Sequence, residues 1–322
     1  MNKVSISRRE LAPEVLRLAL MFGVVNLHAA TGDAGVGRHV LLAKFMWPAV
    51  PCFLFISGYY GIRFSLRKVI AIYGVALLYS VANATALVYF SASHGGFFMA
   101  AVDCLKSYWF IHCYTFLMCC APMVNLAMEC KPKITTLLPF FFLCFGWGFM
   151  RTLPYIGNYL PDAFGLGPFG GLTFVGIYTF ARWVRSLDEQ AVPMYVFWIG
   201  IPVLWALVVL GFNDYNSPFT VVLSGLLFLV VRKWGRLRKS GSFFNVITPS
   251  ILPVYLIHQT PAARECMRNL GLYINEHISF GLCTCVFVSV ITFACCLAID
   301  GIRRIVQFVI GEFAKKIMHI DK

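Results

Sequence analysis

Residues 11–30 read LAPEVLRLALMFGVVNLHAA, and only Glu14, Arg17 and His28 among them carry ionisable side chains. A helix rising ~1.5 Å per residue needs about 20 mostly apolar residues to cross a hydrocarbon layer ~30 Å thick. This stretch meets that length. It carries Glu14 and Arg17 within the apolar run and has no small-residue cleavage site, so it reads as a first membrane helix and not as a removable leader.

Nine further stretches read the same way, near 41–61, 69–90, 107–127, 132–150, 166–184, 191–212, 216–232, 244–261 and 278–299. The chain of 322 residues is 59% hydrophobic and 13% charged. Soluble domains carry roughly 25% charged residues, and lipid is the solvent that accommodates the difference. The expected fold is therefore all-α, a polytopic bundle of about ten transmembrane helices over residues 1–300, followed by an amphipathic cytoplasmic tail over 301–322.

The net charge of +13 would suggest nucleic acid in a soluble protein. Here the basic residues sit in short clusters between apolar runs, so membrane topology explains them and no nucleic-acid partner is expected. With the N-terminus inside, the cytoplasmic face holds 20 Lys and Arg, including Lys3, Arg8, Arg9, Arg236, Arg238, Lys239 and Lys322. The opposite face holds six, Arg38, Lys44, Lys106, Arg151, Arg264 and Arg268. The positive-inside rule then places both termini in the cytoplasm, and the location is the inner (cytoplasmic) membrane. Most of the twelve Cys lie inside apolar runs, where they act as small apolar residues. No disulfide framework and no metal site are expected.

Ionisable groups inside a span are costly and mark function by default. Arg17 and His28 are 11 residues apart, and at ~100° per residue they return to within about 20° of one helix face, ~16 Å apart along it. Glu14, one turn before Arg17, is on the same side. The bland alternative is an ion pair snorkelling to one surface and a histidine at the other.

Arg17-x10-His28 with Glu14 resembles the signature of the integral-membrane acyltransferase 3 family. So does Phe53-Leu54-Phe55-Ile56-Ser57-Gly58-Tyr59 on the second span. Tyr108-Trp109-Phe110, ending in Pro122, and Val254-Tyr255-Leu256-Ile257-His258 resemble later family segments in the same order. The resemblance implies acyl transfer, usually of acetyl from acetyl-CoA, to sugars of surface polysaccharides or lipid-linked glycans. No appended soluble domain of the kind some members carry is expected from these residues, and the basic cluster after the second span is sparser than theirs.

Such chemistry needs a base at the sugar hydroxyl and donors at the thioester oxygen. His28 is the expected base, since imidazole titrates near neutrality; direct attack and an acyl-histidine intermediate both fit. Arg17 would orient the site or hold the donor, and Glu14 would fix Arg17. Ser57, Arg63 and Arg67 are the expected contacts to the acyl-CoA donor. Tyr108, Trp109, His112, Tyr255 and His258 are the expected acceptor contacts, because the three histidines fall at similar depth. No tightly bound cofactor is expected, with acetyl-CoA a co-substrate. The alternative reading is a transporter or flippase for a glycan or lipid precursor.

Overall fold

The computed structural model describes residues 10–35, 37, 39–89, 96–153, 167, 169–187, 192–212, 214–235, 242–278 and 281–320. Lys3, Arg8, Arg9, Arg38, Arg236, Arg238, Lys239 and Lys322 lie outside them, as does the start of the expected sixth helix at residue 166. The side chains from residue 314 onward lie outside them too.

The described residues are mostly helical, with no strand among them. α1 (Leu11–His28) runs on through a π-helical turn (Ala29–Asp33). There follow α2 (Val40–Met46), α3 (Ala49–Tyr60), α4 (Leu66–Tyr89), α5 (Gly96–Ser107) and α6 (Trp109–Glu129). α7 (Ile134–Phe141) passes through a second π turn (Phe142–Gly146) into α8 (Trp147–Thr152). The remainder is α9 (Gly171–Ser186), α10 (Met194–Leu210), α11 (Pro218–Gly235), α12 (Ser242–Ile247), α13 (Ile251–His258), α14 (Pro261–Ile278) and α15 (Gly281–Ile320).

Seven helical segments among the described residues are long and apolar enough to cross a membrane: Leu11–Asp33, Val40–Tyr60, Leu66–Tyr89, Trp109–Glu129, Ile134–Thr152, Pro218–Gly235 and Gly281–Phe313. Met194–Leu210 is apolar but shorter. Each of the ten expected stretches contains helix, yet α9 and α13 are too short to qualify as spans by length. The second stretch is jointed at Trp47-Pro48, where proline cannot continue the donor ladder of α2. Two helices, α5 and α14, occupy stretches expected to be loops. α15 continues without interruption past Gly301, where the tail was expected to begin.

α3 lies at the centre of the bundle, with Leu54, Phe55 and Ile56 fully buried. Its closest neighbour is α9. A Cβ built at Gly58 would stand 2.7 Å from both the Ala181 side chain and the Tyr178 carbonyl oxygen. Small residues at such a crossing let two backbones approach, which substitutes for the hydrophobic drive that lipid does not provide. Packed this way, α9 presents Tyr178 to the chain beyond α3: its hydroxyl accepts from Ile62 N at 2.8 Å and donates to Asn125 Oδ1 at 2.7 Å. The exit from α3 toward Arg63 is thereby pinned.

α14 is amphipathic and packs over the π turn that ends α1. The Gly271 Cα approaches Ala34 so closely that no side chain fits between them. This contact carries Arg264 back over the end of α1, and α13 reaches the same place from inside the bundle.

Candidate active site

A cavity of about 550 Å³ runs alongside α1. Glu14, Arg17, Ser57, Tyr114 and Thr248 line one end, and His28, Thr31, Gln259 and Arg264 line the other. Met21, Val24, Val50, Phe53, Ile251 and Leu252 line the middle. Fourteen residues of helix separate Glu14 from His28, about 21 Å, or two-thirds of a hydrocarbon layer. The 3.6-residue repeat explains the lining: Arg17, Met21, Val24 and His28 are spaced by three or four residues and share one face.

At the first end Arg17 Nη1 donates to Glu14 Oε1 at 2.6 Å. The Glu14 side chain is 3% exposed and that of Arg17 28%, so the acid is buried behind the base and the guanidinium faces the cavity. Ser57 joins this end, its hydroxyl donating back to the Phe53 carbonyl at 3.0 Å. Arg63 and Arg67 are exposed just beyond α3 and do not line the cavity.

At the other end the two histidine rings of α1 and α13 lie 5.3 Å apart. His258 is buried, and its Nδ1 is 2.7 Å from the Val254 carbonyl oxygen. A carbonyl only accepts, so Nδ1 carries the proton and Nε2 the lone pair. Gln259 Nε2 stands 2.5 Å from His28 Nε2 and 3.4 Å from His258 Nε2. Gln259 Oε1 accepts from Arg264 Nη2. Asp33 Oδ2 is 3.7 Å from both His28 Nδ1 and Arg264 Nε. A neutral amide thus touches both imidazoles, with the cation on its oxygen and the acid beside that cation and His28.

Aromatic rings close the cavity beside this cluster. Trp109 stacks on Tyr215 at 6.1 Å and 16°, and Trp47 lies 5.1 Å from the same Tyr215. Phe169 meets Trp109 edge-on at 4.7 Å. Tyr215 is buried between α10 and α11, and that burial, with the nearby Asp214 charge, raises its phenol above the usual range. It presents a neutral hydroxyl. Flat aromatic faces with a few polar tips suit the apolar faces and hydroxyl edges of a sugar ring.

The structure therefore brings together Glu14, Arg17, His28, Ser57, Trp109 and Tyr255 around one cavity, with His258 behind it. It separates the others. Tyr108 is fully buried, its hydroxyl accepting from the Cys104 thiol at 3.3 Å. His112 is exposed and off the cavity; Tyr73 and the Leu105 carbonyl take both ring nitrogens, at 3.0 and 3.1 Å. Depth along the membrane normal placed His112 beside His28, but its helix turns it to another side of the bundle. Asp33, Gln259, Arg264, Trp47, Phe169 and Tyr215 were not singled out as site residues in the sequence, where Arg264 counted only toward the charge of the far face. Gln259 left one faint signal, standing directly after His258 at the end of an apolar run.

A family model described as an acyltransferase domain matches residues 10–301. No curated protein and no solved structure matches the chain.

Proposed function

The chain belongs to this acyltransferase family, and on that premise we propose that it transfers an acetyl or related acyl group from cytoplasmic acetyl-CoA to a sugar hydroxyl of a surface polysaccharide or lipid-linked glycan. The cavity carries the reading: it joins a cationic end at Arg17 to an imidazole end at His28, with apolar walls between. A phosphate-bearing donor suits the first end. Its pantetheine arm, slender and largely uncharged, suits the middle. An acceptor sugar suits the aromatic wall of Trp109 and Tyr215.

In this reading His28 Nε2 takes the proton of the attacking hydroxyl as the new ester C–O bond forms. The thioester C–S bond breaks, and the proton passes on to the leaving thiolate. Asp33, on the Nδ1 side of the ring, stabilises the imidazolium between those events. The Lys and Arg distribution supports an orientation with Arg17 toward the cytoplasm and His28 toward the far side. The family favours acyl transfer over the transporter reading.

The test is transfer from labelled acetyl-CoA by detergent-purified protein, together with mass spectrometry of surface glycans from cells with and without the chain. Loss of O-acetyl groups in its absence is expected. Unchanged glycans and no transfer to any sugar acceptor would overturn the proposal.

A further inference from the structure

Gln259 is placed to do more than line the cavity. Arg264 is a donor only, so the amide atom facing it is the oxygen. That leaves the amide nitrogen, with its two hydrogens, toward the two imidazoles, 2.5 Å from His28 Nε2 and 3.4 Å from His258 Nε2. His258 meets the amide with a lone pair, because its Nδ1–H is committed to the Val254 carbonyl. His28 must do the same, since a hydrogen on its Nε2 would collide with the amide hydrogen. The alternative amide orientation would set two donors against each other at Arg264 and forfeit His258.

We propose that Gln259, oriented by Arg264, is a positioning residue that holds His28 as the Nδ1–H tautomer and caps its Nε2 lone pair until an acceptor hydroxyl displaces the amide. This rests on His28 being the base of an acyl transfer. The displaced amide stays tethered, by its oxygen to Arg264 and by its second hydrogen to His258. His258 then serves as the resting partner of the amide and not as an acceptor contact. Capping keeps the basic nitrogen from water at an end of the cavity where the Arg264 side chain is 43% exposed. It also puts the remaining hydrogen of His28 on the Asp33 side, where the positive charge of the reaction is best met.

The titratable and charged groups facing His28 among the described residues are Asp33 from the π turn, His258 from α13 and Arg264 from α14; the Cys285 thiol of α15 donates to the carbonyl of Ala29, the next residue along. Gln259→Glu changes the hydrogen bonding without adding bulk, and Arg264 pairs with the new carboxylate. An oxygen can only accept, so it draws a hydrogen onto His28 Nε2. Nitrogen-15 NMR of histidine-labelled protein in micelles, assigned with His28→Ala, reads the tautomer without any turnover. We expect the Nδ1–H form in the unaltered protein and an Nε2–H or doubly protonated ring in Gln259→Glu.

Kinetically, Gln259→Glu should lower the transfer rate at pH 7 about 100-fold and move the acid limb of the profile to higher pH, while Gln259→Met should cost roughly 10- to 100-fold and move it in the same direction by less, because only the hydrogen bond to the neutral ring is lost. The KM for acetyl-CoA should stay within about twofold in both, as binding at the distant end is untouched. Arg264→Gln should cost about tenfold alone and little in the Gln259→Met background, because it acts through the amide. If Gln259→Glu does not fold, the Gln259→Met and Arg264→Gln cycle decides. An Nε2–H His28 in the unaltered protein, or fully multiplicative losses in the cycle, would overturn the proposal. Should the unaltered protein transfer no acyl group, the functional reading fails, and the tautomer still stands or falls by NMR.

Discussion

Arg17 Nη1 lies 2.6 Å from a Glu14 carboxylate that is almost wholly buried, one turn away on the same helix. A buried ion pair is weak evidence for stability, since desolvation of two charges offsets most of their attraction. Removing one partner is another matter. Arg17→Ala takes away the guanidinium that donates to this buried carboxylate and should lower the melting temperature measurably. The double variant Glu14→Gln with Arg17→Gln should recover most of the thermal stability and none of the acyl transfer. Equal melting temperatures for Arg17→Ala and the unaltered protein would show that the pair is solvated.

The crossing of α3 and α9 rests on Gly58. A methyl group there meets a backbone carbonyl and the Ala181 side chain at 2.7 Å, neither of which is a flexible tip. Gly58→Ala should therefore cost about 1–3 kcal/mol through overpacking. Gly74 on α4 has no atom within 4 Å of its built Cβ, and Gly74→Ala should be neutral or slightly stabilising. Thermal unfolding in one detergent compares them; a loss at Gly74 as large as at Gly58 would refute the packing account.

What the sequence made legible follows from the physics of each feature. Spanning helices are read from length and apolarity alone, so the stretches of α1, α4, α6 and α15 were plain. The face shared by Arg17 and His28 follows from helical period within one element. α14 was hidden because it is amphipathic, with Arg264, Glu265 and Arg268 breaking any apolar run, and it reads as a polar loop until it is seen packed on the end of α1. Gln259 was hidden because a search for ionisable groups in membrane passes over a neutral amide. His112 was misplaced because sequence gives depth and not direction around the bundle.

Arg63 and Arg67 are exposed beyond α3, at the Ser57 end of the helix whose exit Tyr178 and Asn125 hold in place. Surface cations of this kind suit phosphates that remain in water while the acyl arm enters the cavity. Replacing both by Gln should raise the KM for acetyl-CoA roughly tenfold and flatten its dependence on salt. The maximal rate should change little, since the proposed mechanism puts the reacting atoms at the His28 end. A reporter fused after Lys322 should be active only as a cytoplasmic reporter. An unchanged KM would leave both arginines with a purely topological role.

The proposed mechanism rests on His28. As general base it should supply on the order of 10²–10⁴-fold in rate, so His28→Ala should nearly abolish transfer. Its side chain is 25% exposed and its closest partner, Gln259, is neutral, so its removal strands no ion pair equivalent to Glu14 and Arg17. Gln259 keeps Arg264 and His258 as partners. The variant should therefore run as a single species on size exclusion with a melting temperature near that of the unaltered protein. His258→Ala should be milder in rate, about tenfold, because it only loosens the amide that caps His28. Near-normal transfer by a folded His28→Ala protein, with loss confined to His258→Ala, would reverse the two roles and make the α13 histidine the base.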